Sequence, residues 1–357
     1  MSSRLRGAVG TRLALVALLA AALVLGLSGV AYAKEKRELE VMTENLYLGS
    51  SLRPAIQATT LTEFITAVAT IYGTVQFTDF PARAEAIADE IQDEQPDVIG
   101  LQEVEKWTST GPGAPPSLDF LAILQKDLAD RGLHYSVAAV SNNADIGPVP
   151  LAAPCSGTLG SCLLTLQDRD VILVNDDTPR LAVSNPGSGR YLTQLVLTTP
   201  VGPLSFDRGW ASIDGTFEDK SFHFVDTHLE EATSPAIQEA QGNEFLQGPA
   251  KADGAVIAVG DFNSAADGSS TTTYADLTRS YFTDAWDTNP GDPGLTCCQD
   301  SDLTNPTSHL HERIDLVLTN EPARPLSASL VGDTPFQASP PFWPSDHAGV
   351  VATVRLH

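Results

Sequence analysis

The sequence predicts an α/β fold in which two β-sheets pack face to face and helices cover them on the outside. Three observations point there. Short β-rich runs alternate with helical stretches and turn signals from residue 39 to the last residues. No Pro/Ser-rich linker or compositional break divides residues 39–357, so these elements read as one domain. Across 357 residues, 42% apolar and 18% charged side chains are the balance of a globular chain with a sizeable core. That balance excludes a disordered chain, a collagen, a polytopic membrane protein and a small disulfide scaffold, and no period of a repeat architecture is visible.

The first segment stands apart from the fold. Arg4, Arg6 and Arg12 precede an apolar run from Leu13 to Val30, which exits through Ala31-Tyr32-Ala33. A positive start, an apolar middle and a small-x-small exit predict a secretory signal peptide over 1–33, cleaved after Ala33, and hence a secreted protein. The run is near the lower limit for a membrane span, so without cleavage it would be an anchor.

Strands are predicted at 39–45, 98–103, 135–140, 170–174, 192–198, 221–228, 255–261, 313–318 and 349–356. Each is a short β-branched or aromatic run bounded by turn residues, and Phe222-His223-Phe224-Val225 alternates by face. Helices are predicted at 81–93, 117–131, 234–246 and 270–279. In the first of these Ala84, Ile87, Ala88 and Ile91 fall at helical spacing and Pro96 stops the run. Proline and glycine gather in 108–117, 141–160 and 286–307, which read as surface loops.

Loss of residues 1–33 removes three arginines and no acid, moving the formal net charge from −24 to −27. Beyond Lys34-Glu35-Lys36-Arg37 no two basic residues are adjacent or one apart, so no basic stripe tracks a nucleic-acid backbone. Bound divalent metal could still supply positive charge locally. Cys155, Cys162, Cys297 and Cys298 all lie in the exported part. A Cys155–Cys162 bridge would leave Cys297 and Cys298 as a vicinal pair or as free thiols, and cross-pairing between the two loops is the alternative. Their spacing matches no zinc site.

Polar residues fall at strand ends. Asn45 closes the first strand, Glu103 follows Ile99-Gly100-Leu101-Gln102, and His228 ends Phe224-Val225-Asp226-Thr227. Asp261 and Asn263 follow Ile257-Ala258-Val259-Gly260, Asp315 lies in Arg313-Ile314-Asp315, and Asp346 and His347 precede the last strand. One such residue alone is an ordinary turn or edge residue. Six such strand ends together supply hard oxygen ligands suited to Mg2+ and imidazoles suited to acid–base work. No thiolate or paired-histidine zinc motif, phosphate-binding loop or dinucleotide fingerprint accompanies them.

At these residues the chain resembles the endonuclease/exonuclease/phosphatase family, built like pancreatic-type deoxyribonuclease. The resemblance runs in order through Thr43-Glu44-Asn45-Leu46, Leu101-Gln102-Glu103-Val104, Thr227-His228-Leu229-Glu230, Gly260-Asp261-Phe262-Asn263, Arg313-Ile314-Asp315-Leu316 and Ser345-Asp346-His347. It implies a four-layer α/β/β/α sandwich of two packed mixed β-sheets with the site at the top of the sheets. It implies a divalent metal, Mg2+ with Mn2+ or Ca2+ as alternatives, held by Glu103 with Asn45 and Asp346. Asp261 resembles the residue that orients or deprotonates the attacking water, and Asn263 the amide on a phosphoryl oxygen. His347 resembles the phosphate-facing acid–base histidine with Asp315 fixing its ring, and His228 a second phosphate-facing histidine.

Two departures narrow the branch. Ser264 stands where inositol-polyphosphate phosphatases continue with an aromatic residue and arginine, and their late motif puts the acid before the arginine, unlike Arg313-Ile314-Asp315. The expectation is therefore a secreted divalent-metal-dependent phosphodiesterase acting on nucleic acid or on a phospholipid or sphingomyelin head group. A phosphomonoesterase on sugar or inositol phosphates and a catalytically silent binding module are the alternatives. Arg169 or Arg208 could clamp a phosphate or form a surface ion pair. Phe342-Trp343 could touch a membrane, though packing under the loop is the simpler expectation. Nothing in the sequence calls for an obligate protein partner.

Overall fold

β1 (Glu38–Asn45) is buried from Val41 onward, as a strand covered on both faces must be. The chain then runs through α1 (Arg53–Ile56), α2 (Leu61–Phe77) and α3 (Phe80–Glu94) into β2 (Val98–Gln102). β3 (Lys106–Thr110), β4 (Leu118–Asp119) and α4 (Phe120–Asp130) lead to two long strands, β5 (Tyr135–Pro150) and β6 (Leu163–Asn175). Next come β7 (Leu181–Arg190), the hairpin β8 (Leu195–Thr199) and β9 (Gly202–Phe206), then β10 (Gly209–Phe217) and β11 (Lys220–His228). α5 (Pro235–Gln247), β12 (Ala255–Asp261), α6 (Thr273–Thr278), β13 (Thr283–Asp284) and β14 (Asp315–Thr319) follow. β15 (Ala323–Val331), β16 (Gln337–Ala338), β17 (Pro341–Phe342) and β18 (Gly349–Leu356) complete the chain. This computed structural model describes residues 37–357 apart from 153, 154, 157, 159 and 280, and the expected signal peptide lies outside the described residues.

One sheet has the order β15-β18-β1-β2-β6-β3-β4, with β5 also paired to β6; the other has the order β13-β14-β12-β11-β10-β7. Both mix parallel and antiparallel pairs. Period-two alternation divides their side chains between layers. In β12, Ala255, Ile257 and Val259 enter the core between the sheets, where Leu39, Val41, Ile172 and Val354 meet them. Val256 and Ala258 face outward onto Phe245 of α5 and Leu277 of α6. On the far side, Met42, Ile99 and Leu101 pack against α2, α3 and α4 through residues such as Tyr72, Ile87 and Leu124. The result is four layers, helix, sheet, sheet, helix. Gly100 permits the close approach of the sheets, since a Cβ there would lie 2.5 Å from Val259 Cγ2 and 2.8 Å from Asp226 Oδ1.

The register gathers the polar strand ends. β1 and β2 run parallel with Asn45 opposite Gln102, so Glu103 follows at the same end of that sheet. In the other sheet His228 pairs with Asp261, and Asp261 pairs with Asp315.

Several elements differ from the sequence expectation. α2 lies outside the predicted helices, because threonine, valine and isoleucine crowd it and blur its helical signal. The helix is fixed by a Thr60–Glu63 capping box and by Phe64, Val68, Ile71, Tyr72 and Val75 on the core side. Residues 141–150, expected in a loop, continue β5; register shifts between Asn142 and Asp145 and between Ile146 and Val149 absorb the Asn, Gly and Pro residues. β7 carries Pro186 and two glycines, tolerated because it is an edge strand. Residues 108–110, also expected in a loop, belong to β3. Cys155 pairs with Cys162 and Cys297 with Cys298, leaving no free cysteine among the described residues. Among those residues no helix is long and apolar enough to cross a membrane. Trp343 is 2% exposed and its indole N–H donates to the Asn305 carbonyl, so it packs inside the loop and is not presented to a membrane.

Candidate active site

Asp261 is the hub of the site. It ends β12, is 1% exposed, and its Oδ2 accepts from Asn45 Nδ2 at 3.2 Å. The same oxygen lies 3.5 Å from His228 Nε2 and 3.9 Å from His347 Nε2, while Oδ1 accepts from the Asn263 backbone N–H. Burial, reinforced by Asp315, pushes the Asp261 carboxyl up to about 7 against the opposing pull of His347. Gly260 before it has φ +140°, and a Cβ there would sit 1.9 Å from the Thr227 carbonyl oxygen, so only glycine brings β12 to its end in this form.

His347 Nδ1 donates to Asp315 Oδ2 at 2.9 Å. Burial opposes a charge on this ring, but Asp315, Asp346 and Asp261 outweigh it and hold the imidazole well above its usual range. His228 is the opposite case. Arg208 Nη1 donates to its Nδ1 at 2.9 Å, so the ring proton sits on Nε2, toward Asp261. Burial and the Arg208 charge drive His228 well below its usual range, leaving it neutral. Two histidines beside one carboxylate thus carry different charges.

Glu103 follows β2 with φ 51°. Its carboxylate accepts from the Leu48 backbone N–H and from Asn45 Nδ2. Burial raises it, with Asp168 adding and Arg208 and His347 offsetting. Burial likewise pushes Asp346 up to about 7, with Glu103 adding and His347 opposing, and its Oδ1 is a buried atom without a hydrogen-bond partner. Crowded carboxylates whose burial opposes their charge, one with an orphaned oxygen, are the environment that a divalent cation relieves, and the donors are hard oxygens of the kind Mg2+ takes. Glu103, Asp346 and the side chain of Asn45 therefore fit a hard cation. Asp261, Asp315 and His347 form a neighbouring cluster whose candidate ligand atoms all lie within 4.8 Å of one another.

All eight residues expected from the sequence meet here. Glu103, His228, Asp261, Asn263, Asp346 and His347 line a cleft of about 730 Å3, and Asn45 and Asp315 stand behind it, bonded to Asp261 and His347. Asn263 has φ 47°, and its Nδ2 donates to the Leu229 carbonyl. The two arginines left open separate clearly. Arg208 lines the cleft, whereas Arg169 is spent on the Val104 and Glu105 carbonyls and on Asp119. Burial pulls the Arg208 guanidinium down, but Glu230, Asp168 and Glu103 more than offset this. Sequence reasoning missed Asp168 and Glu105, which also line the cleft and sit on β6 and just after β2. For Glu105 the available signal was its place two residues after Glu103; Asp168 lies two residues from no recognised residue. The disulfide Cys297–Cys298 forms part of the rim, with Cys298 Sγ 3.8 Å from His347 Nε2.

Residues 72–347 match the sequence profile described as the Endonuclease/Exonuclease/phosphatase family. No curated protein matches the sequence. Among solved structures, an endonuclease/exonuclease/phosphatase family protein from Bacteroides thetaiotaomicron aligns with TM-score 0.56 and 14% identity, over 90% of this chain and 98% of that one. The endonuclease/exonuclease/phosphatase from Beutenbergia cavernae aligns with TM-score 0.54 and 20% identity, over 90% and 72%. A humanized D. rerio TDP2 with 14 mutations aligns with TM-score 0.51 and 15% identity, over 89% and 99%. At these identities the likeness is one of fold.

Proposed function

The chain belongs to the endonuclease/exonuclease/phosphatase family, a family of phosphoric ester hydrolases, and from that premise we propose that it hydrolyses a phosphodiester with the help of Mg2+. The observation that carries this reading is the placement of Asp261 Oδ2 at 3.2 Å from Asn45, 3.5 Å from His228 and 3.9 Å from His347, on one cleft.

Each side chain has a task consistent with its electrostatics. Asp261, with a proton affinity near neutrality, takes the proton of an attacking water. His347, protonated and oriented by Asp315, donates toward the phosphoryl or leaving-group oxygen. Neutral His228 offers its Nε2–H on the same side, steadied by Arg208. Arg208 and the Asn263 amide add donors for phosphoryl oxygens that gain charge in the transition state. Glu103 and Asp346, backed by Asn45, would hold the cation, which supplies the remaining positive charge.

Export is part of the same proposal. The segment 1–33 has the three parts of a signal peptide, and paired cysteines are characteristic of oxidising compartments. Mass measurement of protein recovered from culture medium should give a first residue of Lys34; a cell-bound product retaining 1–33 would make the segment an anchor.

The activity is tested by incubating the mature protein with Mg2+ and either plasmid DNA or sphingomyelin vesicles, each with an EDTA control. EDTA-sensitive nicking or phosphocholine release supports the proposal, and silence on both, together with silence on a small chromogenic phosphodiester, overturns it.

A further inference from the structure

Next to the cleft lies a second, smaller cavity of about 50 Å3 in which, among the described residues, Thr199 is the one polar aliphatic side chain in an otherwise apolar and aromatic lining. Its depth is formed by Phe64, Val68, Trp107 and Leu164, all buried side chains. Leu52, Ile56, Ile146, Leu166 and Phe206 line both it and the cleft, so the two spaces share a wall. β6 measures the separation. Leu164, Leu166 and Asp168 are i, i+2 and i+4 on one face of that strand, and Asp168 lies beside Arg208. The apolar slot therefore begins roughly 7 Å along the strand from Asp168 and ends roughly 13 Å from it.

Charge argues in the same direction. Around the phosphate position the cleft carries more acids than bases: Glu103, Glu105, Asp168, Glu230 and Glu231 surround Arg208. Such a cleft accepts one phosphate beside the cation and repels a polyanion. Apolar-lined cavities stay dry and take apolar ligands. The rim continues the apolar character through Leu195 and Leu197 of the β8–β9 hairpin and through Ile56, which is 37% exposed.

We infer that this slot binds a hydrocarbon chain esterified to the phosphate in the cleft, so that the substrate is an amphiphilic phosphodiester with a single phosphate. The inference rests on the phosphodiesterase reading for the position of the phosphate. In the reaction water forms the new P–O bond, the P–O bond to the leaving alcohol breaks, and the proton taken from water is returned to that alcohol.

The test uses p-nitrophenyl alkyl phosphates carrying methyl, hexyl or decyl groups, all below the concentration at which they form micelles. Expected is a kcat/KM about tenfold or more higher for hexyl than for methyl, from burial of two or more methylenes. In Ile56→Ser and Leu166→Asn the hexyl-to-methyl ratio should fall toward one. A second readout needs no turnover. Decylphosphocholine added to metal-free protein should change tryptophan fluorescence saturably, and Trp107→Phe should remove that change. Hydrolysis of methyl and hexyl esters at equal kcat/KM with no fluorescence change overturns the slot and leaves the phosphodiesterase reading standing. A saturable fluorescence change without hydrolysis of any ester does the reverse.

Discussion

In the proposed mechanism Asp261 carries the base chemistry, because three neighbours at strand ends hold it and its own burial keeps its proton affinity near neutrality. Asp261→Asn keeps the size and removes the base, so turnover should fall by about 10²–10⁴-fold. The same variant should stay folded with a modest change in melting temperature, because relief of the repulsion from Asp315 is set against the loss of one accepting oxygen toward Asn45 or Asn263. Equal turnover would remove Asp261 from the mechanism. The pH dependence of stability follows from raised acids. Asp261 and Asp346, at about 7 in the folded state, are protonated there when the unfolded chain is already ionised, so metal-free stability falls as pH rises through that value. His347, raised as well, has the same sign. His228, depressed, contributes the opposite slope, but only below about 6.5 where the unfolded ring charges. Between about pH 6.5 and 8 the metal-free melting temperature should therefore drop, and added Mg2+ should raise it more at pH 8 than at pH 6.5. A Mg2+ effect independent of pH would mean that the cation does not sit among these carboxylates. At this scale the sequence was most informative, since each of the eight residues is read from its place at a strand end. Arg208 was ambiguous because its partner His228 is 20 residues away, on the neighbouring strand.

Elements with period-two burial were also easy to read. β12 and β18 match their expected bounds of 255–261 and 349–356 because alternation and turn residues agree there. α2 was hidden because its threonines and β-branched residues favour strand, while its helical signal is divided between a cap at Thr60 and a core face five residues wide. That cap is testable. Thr60→Ala should cost about 1 kcal/mol and lower the melting temperature by about 2 °C, and no change would mean that core packing alone sets the start of the helix. Between the sheets, Gly100→Ala would push a methyl into Val259 and should cost about 1–3 kcal/mol. A neutral result would show that the sheets can separate at that end without loss. β5 beyond residue 140 was unreadable for a different reason: its pairing with β6 is long-range, and its bulges place turn-like residues inside a strand.

At the scale of the whole molecule, helices on both outer faces and a core between two sheets follow from composition and alternation, and family membership accounts for the order of the motifs. The apolar slot had no sequence signal, because its walls come from α1, α2, β3, β5, β6, β8 and β9, which only the fold brings together. Net charge acts at this scale too. With −24 over the full chain, association with a polyanion is repulsive beyond the cation, so raising salt should speed any cleavage of plasmid DNA severalfold at fixed Mg2+. A steep fall with salt would instead reveal a basic contact surface.

The central claim is that Asp261, beside a cation held by Glu103 and Asp346, drives hydrolysis of a phosphodiester. Its most direct test is p-nitrophenol release from bis(p-nitrophenyl) phosphate by the wild type and by Asp261→Asn, each with Mg2+ and with EDTA. The account predicts release that EDTA abolishes and that Asp261→Asn lowers by orders of magnitude while both proteins remain cooperatively folded at the assay temperature. Release that survives EDTA, or that is equal in the two proteins, would contradict it.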